Sequence, residues 1–336
     1  MNARLAAILV VLLAVLGGGA LLLQRQETAR RPSNAGELGQ RLLKNLRAAD
    51  LSAIRIVEPK VSLTLQRKDD GWIIAERDGF PADLGKVREF VLKAIELKVG
   101  QSEPIGEKDR ARLNLDASGT QIEFAGPDGK SLAKLSVGKK YFKREVDNPE
   151  KALADGRFVM RPDDPATVLL VSDPLLQASA RSADWIDRSS FKVEKVKTLE
   201  VRYPGGDGWR IDRAADNADW KLAGAKPGDK LEITKANAAS YSLGLLELAD
   251  VAPKEANNTG LDKPVLVNAA TLTGVSYAIK VGRLEQENYY VAFTSSSDQP
   301  RDKLLSRYVL LIPKDRLEDT LKKRPDLLEQ KASKKK

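Results

Sequence analysis

Two stretches of this chain present the same order of landmarks, and that duplication constrains the fold more than any other feature. Leu63-x-Leu65-x-Arg67 precedes Gly71-Trp72-Ile73-Ile74, and Trp209-x-Ile211-x-Arg213 precedes Asp219-Trp220-Lys221-Leu222. Each reads as a strand, a turn rich in Asp with Gly or Asn, and a second strand carrying a Trp, which is the pattern of a hairpin. A helix follows in both. In the first copy Asp83 is placed to cap, and Val87, Phe90, Val91, Ala94 and Ile95 form one apolar stripe; in the second Thr234 is placed to cap, and Ala236, Ala239, Leu243 and Leu246 form the stripe.

The correspondence continues downstream. Glu96-Leu97 matches Glu247-Leu248, Leu115-Asp116 matches Leu261-Asp262, and Val137-Gly138-Lys139 matches Val281-Gly282-Arg283. Phe158-Val159 matches Tyr290-Val291, and Val168-Leu169-Leu170-Val171 matches Val309-Leu310-Leu311-Ile312. The copies differ in length at two polar stretches, 147–155 and 295–303, which is where surface loops tolerate insertion. Each copy therefore predicts strands, one principal helix, a short helical turn, then further strands such as 120–125 and 132–137. The fold class expected is α+β, with two tandem, mainly antiparallel sheet-plus-helix repeats behind an N-terminal transmembrane helix. The domain plan is a signal anchor over 1–25, a polar stem over 26–50 opening a helix near 38–46, and a first repeat over 51–173. A connecting helix over 174–195, a second repeat over 196–313 and a basic tail over 314–336 follow.

The anchor reading rests on residues 5–23, from Leu5 to Leu23, which hold no charged or polar side chain and are flanked by Arg4 and Arg25. At about 1.5 Å per residue a helix of that length nearly spans a hydrocarbon layer of about 30 Å. A cleaved signal peptide is the competing reading, with Gly18-Gly19-Ala20 as its site, but Leu21, Leu22 and Leu23 carry the apolar run past that point. Orientation is opposed by Arg25, Arg30 and Arg31 under the positive-inside count. The short basic N-region ahead of a long domain resembles a bacterial signal anchor, and the expectation is an exported body in the periplasm, held to the lipid bilayer by this helix.

Net charge is +9, with a pI near 9.4, which at first suggests nucleic acid. The excess lies at the ends: residues 1–47 carry seven basic and two acidic side chains, residues 314–336 carry nine and five, and the body between them carries 40 of each sign. A neutral body argues against a nucleic-acid partner. The chain contains no His and no Cys, which removes His-based general bases, thiol nucleophiles and His or Cys metal sites. The expectation is no catalysis and no cofactor or metal; carboxylate pairs remain open to a glycosidase, though no spacing singles out two of them.

The landmarks resemble those of the bacterial domain of unknown function 4340 family. The residues carrying the resemblance are the Leu-x-Leu-x-Arg strand leading to Gly71-Trp72, the Lys86-Val87 helix and Leu113-Asn114-Leu115-Asp116. Leu135-Ser136-Val137-Gly138 and Trp185-Ile186-Asp187 complete the set. These are turn glycines, strand residues and core aromatics, so the resemblance brings no active-site residues with it. It implies a membrane-anchored envelope protein accompanying components of ABC transporters similar to those linked to gliding motility.

Candidate contact residues are few. Trp72 and Trp220 hold equivalent strand positions and read as core, whereas Trp209, after Gly205-Gly206-Asp207-Gly208, is the Trp expected to be exposed. Tyr289 and Tyr290 are adjacent on a strand, so at most one faces a given ligand. Lys139 and Lys140, with Lys143 and Arg144, form the one internal basic cluster, read as a solvated hairpin tip; Asp69-Asp70 and Asp163-Asp164 read as turns. The function expected is a binding or scaffolding accessory to an ABC-type envelope transporter, in contact with its membrane components; an envelope glycan-binding module or carboxylate-dependent glycan hydrolase is the alternative.

Overall fold

A computed structural model describes residues 35–144 and 147–329. The proposed anchor at Leu5 to Leu23 and the lysines from Lys331 onward lie outside the described residues. Among the described residues no helix is long and apolar enough to cross a membrane. The chain forms two compact units, one of residues up to Asp70 with Leu84–Ala180, the other of Gly71–Asp83 with residues from Arg181 on.

The first sheet has nine strands: β1 (Ala53–Glu58), β2 (Val61–Lys68), β3 (Gly71–Ile74), β4 (Phe80–Pro81), β5 (Val99–Pro104), β6 (Thr120–Ala125), β7 (Ser131–Tyr141), β8 (Gly156–Met160) and β9 (Thr167–Val171). Their order is β4-β3-β2-β1-β6-β7-β8-β9-β5. Alternation sets the buried face, because successive side chains on a strand point to opposite sides. Ile54 sits opposite Leu65 and Phe124, Ile56 opposite Leu63 and Ile122, and all six are buried. The helix Leu84–Glu96 buries Val87, Phe90, Val91 and Ala94, as its stripe predicts, and Phe90 stacks on Phe124 with ring centroids 6.1 Å apart. Each Val, Leu, Ile or Phe side chain so taken from water contributes roughly 1.5–3 kcal/mol.

The second sheet has eight strands: β10 (Val196–Arg202), β11 (Gly208–Asp212), β12 (Lys221–Leu222), β13 (Asp250–Val251), β14 (Val265–Thr271), β15 (Ser276–Glu285), β16 (Asn288–Ser295) and β17 (Leu310–Pro313). Their order is β12-β11-β10-β14-β15-β16-β17-β13. With β4 set aside, the two sheets share one strand order, every pairing given for them is antiparallel, and each has its main helix between the third and fourth strands of that shared plan. Leu63 and Trp209 occupy matching positions, opposite Ile56 and Val201, as the sequence alignment of the copies requires.

Four expectations are corrected. Residues 174–195 do not form a connecting helix. Leu175 has φ +48°, its N–H bonds to the Asp173 carboxylate at 2.7 Å, and only a 3-10 turn at Ser182–Asp184 is helical. The stem near 38–46 is not an α-helix either; a 3-10 turn at Ala35–Glu37 gives way to Gly39 at φ +76°, and its main chain bonds to Leu97 and Val99 while Leu42, Leu43 and Leu46 are buried. The second main helix, Ile233–Tyr241, starts from Glu232 and not from a Thr234 cap, because the N–H of Glu232 is held by the carbonyl of Leu327. Finally, the basic tail expected over 314–336 is, over its described residues 314–329, packed against the second unit. Leu317, Thr320 and Leu327 are buried, and Thr320 donates its hydroxyl to the carbonyl of Ala239 at 2.8 Å.

Candidate functional site

The second sheet has a polar face opposite its core. Leu199 and Val201 point inward on β10, so Thr198, Glu200 and Arg202 point outward. Register then lines up Arg210, Glu200, Asn268, Ala278 and Thr294 across five strands. One half of this row is charged and tied together: Arg202 donates to Glu200 at 2.7 Å, Asn268 donates to Glu200 at 3.3 Å, and Arg210 and Thr198 both donate to Asp212, at 2.9 and 2.7 Å. The hydrogen bond from Arg210 holds the Asp212 carboxyl below its ordinary value of 3.8. The other half carries short side chains, Ala270, Ser276, Ala278, Thr294 and Ser296, and there the surface dips into a recess of about 440 Å³.

The recess follows from side-chain length. At the position of Ala278 the first sheet carries Lys134, paired with Glu123 at 3.1 Å. Truncating that side chain to Ala leaves the recess beside Glu200 and Asn268. Carboxylate, amide, guanidinium and hydroxyl groups together offer both donors and acceptors to a polar partner. Among the described residues no group of three or more His, Cys, Asp or Glu side chains is placed to hold a metal ion.

The residues singled out from the sequence do not converge on this recess. Trp209 is not exposed: it is the first inward position of β11, 3% accessible, and its indole N–H donates to the carbonyl of Lys322 at 2.6 Å. The glycine-rich turn ends one residue before it, so the strand's alternation and not the turn decides where it points. Trp220 is buried, donates to the Asn237 amide oxygen at 2.9 Å and lies under the Arg213 guanidinium at 4.6 Å, whereas Trp72 is half-buried. Tyr289 is half-buried beside the buried Tyr290, whose hydroxyl donates to Glu285. Lys139 is exposed and Lys140 half-buried at the end of β7, with the Lys140 ammonium near the carbonyls of Pro149 and Glu150. Asp69 and Asp163 lie in turns. Glu200, Arg210, Asn268 and Thr294 were missed because the outward positions of every strand look alike until strand neighbours are known.

The motif residues of the first unit have a definite structural task. After Val137 the pairing of β7 with β8 shifts register, and a Cβ on Gly138 would collide with the carbonyl oxygen of Leu113 and lie 2.9 Å from a Leu115 methyl. At the matching shift in β15, a Cβ on Gly282 would collide with the Thr259 carbonyl and lie 3.2 Å from a Leu261 methyl. Only glycine admits so close a backbone crossing.

Two mainly antiparallel sheets of one strand order, each with few helices, define the class of protein. The chain belongs to the family described as Domain of unknown function (DUF4340), which its sequence matches over residues 72–264, more than half its length. No curated protein and no solved structure matches it.

Proposed function

We propose that this chain is a single-pass inner-membrane protein of a bacterial envelope, whose two-unit body is exported and serves as a binding or scaffolding accessory to an ABC-type transporter, without catalysis of its own. The observation that carries the reading is the uninterrupted apolar run of residues 5–23 ahead of a long body whose basic and acidic side chains balance. The transporter link is supported by what the family resemblance implies. The polar face around Glu200, Arg210 and Asn268 is the surface assigned to the partner, because it offers paired charges and amide groups on a rigid sheet. Affinity capture of the full-length protein from solubilised membranes is expected to recover transporter membrane components; repeated recovery of no envelope component overturns the reading. A reporter fused after Lys336 is expected to be active only on the periplasmic side.

The second reading, an envelope glycan-binding module, is favoured by one observation, the neutral polar recess beside Glu200 and Asn268. It lacks an outward aromatic platform there, since the ring of Tyr277 is stacked among Phe191 and Phe293. Retention of the protein on envelope glycan that is lost in Asn268→Ala is the result that would select it.

A further inference from the structure

The two sheets share a strand order but not a filled interior at one corresponding place. In the second unit Phe191 stacks on Phe293 with centroids 3.9 Å apart and on Tyr277 at 6.0 Å, and all three are buried. Register identifies the matching positions in the first unit. Tyr277 lies opposite Ala269 as Ala133 lies opposite Phe124, and Phe293 follows Ala292, opposite Lys280, as Arg161 follows Met160, opposite Ser136. Leu46 stands as far before Ile54 as Phe191 stands before the matching Leu199.

Three aromatic rings are thus replaced by Leu46, Ala133 and Arg161. Phe124 does not restore the lost volume, since its ring is turned to Phe90. What remains in the first unit is a cleft of about 640 Å³, within the roughly 300–1,000 Å³ typical of small-molecule sites. Leu42, Leu43, Leu46 and Ala133 line its apolar part. Its polar part is Arg161, whose side chain is 23% accessible, with Lys44, Asn45, Asp163 and the Glu123-paired Lys134 also lining the cleft. Glu37 holds Arg161 through two contacts of 3.2 and 3.4 Å, and Asp164 lies 3.7 Å away. A tight pair of this kind closes to about 2.7–2.9 Å, so Glu37 is a loose partner on a partly exposed site, where ion pairs contribute little.

We propose that this cleft binds a single-chain anionic amphiphile. Its apolar body takes the space that Phe191, Tyr277 and Phe293 fill in the second unit, and its carboxylate replaces Glu37 on the Arg161 guanidinium. An apolar lining closed by a guanidinium fits that chemistry and disfavours both a neutral chain and a fully polar anion.

The test uses the full chain in detergent, irradiated with a diazirine-bearing fatty acid or with the alcohol of the same chain, and adducts mapped by mass spectrometry. Labelling of 5–23 serves as the internal reference. The acid is expected to label residues 42–46 or 132–134 about tenfold more than the alcohol does, a ratio equivalent to one charge-assisted contact. Ala133→Tyr, which rebuilds the plug of the second unit, and Arg161→Gln, which keeps the cleft but removes its guanidinium, are both expected to abolish that excess. Equal labelling by acid and alcohol, labelling that survives Ala133→Tyr in a chain with an unchanged thermal melt, or no adduct in the cleft overturns the proposal. If Ala133→Tyr does not fold, Arg161→Gln decides alone.

Discussion

The main-chain N–H of Lys139 donates to the carbonyl of Leu113 at 2.9 Å, and the same bond recurs in the second unit from Arg283 to Thr259 at 2.7 Å. In both places a connecting loop crosses the sheet at a register shift, and a glycine immediately before the donor lets it pass. Two copies of one crossing, built from different loop sequences, are strong structural support for a shared plan.

Gly138→Ala and Gly282→Ala are therefore expected to destabilise their own unit by about 1–3 kcal/mol, because the added methyl meets backbone that has no alternative path. Gly205→Ala, where nothing lies within 4 Å, serves as the neutral control. Urea unfolding followed by far-ultraviolet dichroism reads the difference; equal midpoints for Gly282→Ala and Gly205→Ala would show that the crossing is not tight.

Trp209→Phe keeps a ring in the core but leaves the Lys322 carbonyl without its indole donor. The expected loss is about 1–3 kcal/mol of the second unit's stability. Truncation after Pro313, which removes Leu317, Thr320 and Leu327, is expected to abolish its cooperative unfolding, whereas truncation after Glu329 leaves it cooperative. Acrylamide should barely quench Trp209, and ready quenching would contradict its burial.

Tyr277 donates to the buried Asp302 carboxylate at 2.9 Å, and burial, followed by this hydrogen bond, raises its hydroxyl above the ordinary value of 10.0. A pKa raised by folding contributes stability that is full below the unfolded value and is lost as pH rises through the folded one. Tyr203, Tyr290 and Tyr308 are raised as well, so absorbance at the phenolate band should show a late component that vanishes in denaturant. Tyr277→Phe is expected to shrink that component and to flatten the alkaline loss of stability; an unchanged titration curve is the contrary result.

Neutralising the two charges of the polar row, with Glu200→Gln and Arg210→Gln together, is expected to leave the thermal melt close to that of the parent, because the amide oxygen placed at 200 still accepts from Arg202 and Asn268 and the Arg210–Asp212 pair lies on the surface, where ion pairs contribute little. Partner recovery in affinity capture should fall to background. Undiminished recovery would move the partner surface elsewhere on the body.

Much of the architecture was legible because it rests on local periodicity. The stripe of Val87, Phe90, Val91 and Ala94 lies on the helix face it predicts, and β6 alternates buried Thr120, Ile122 and Phe124 with less buried Gln121, Glu123 and Ala125. The paired landmarks from Leu63 and Trp209 to Leu170 and Leu311 fall on matching strands. Segments with apolar residues but no long regular element carry no such signal: Leu42, Leu43 and Leu46, and Leu175, Ala178, Trp185, Ile186, Phe191 and Val193, are buried by long-range packing of irregular chain, which leaves no period to detect.

By itself the sequence determined the apolar run at 5–23, the charge balance of the body, the duplicated order of strands and helix, and the glycines at each crossing, since composition, alternation and repeat spacing are properties of the chain alone. Only the tertiary structure decided that Trp209 is buried, that residues 314–329 complete the second unit, and that Arg210, Glu200 and Asn268 share a row. It also decided that Leu46, Ala133 and Arg161 leave open what Phe191, Tyr277 and Phe293 close. The physical reason is common to all four: each depends on which strands lie side by side and in what register, and side chains far apart in sequence acquire a shared environment only when the sheet is formed.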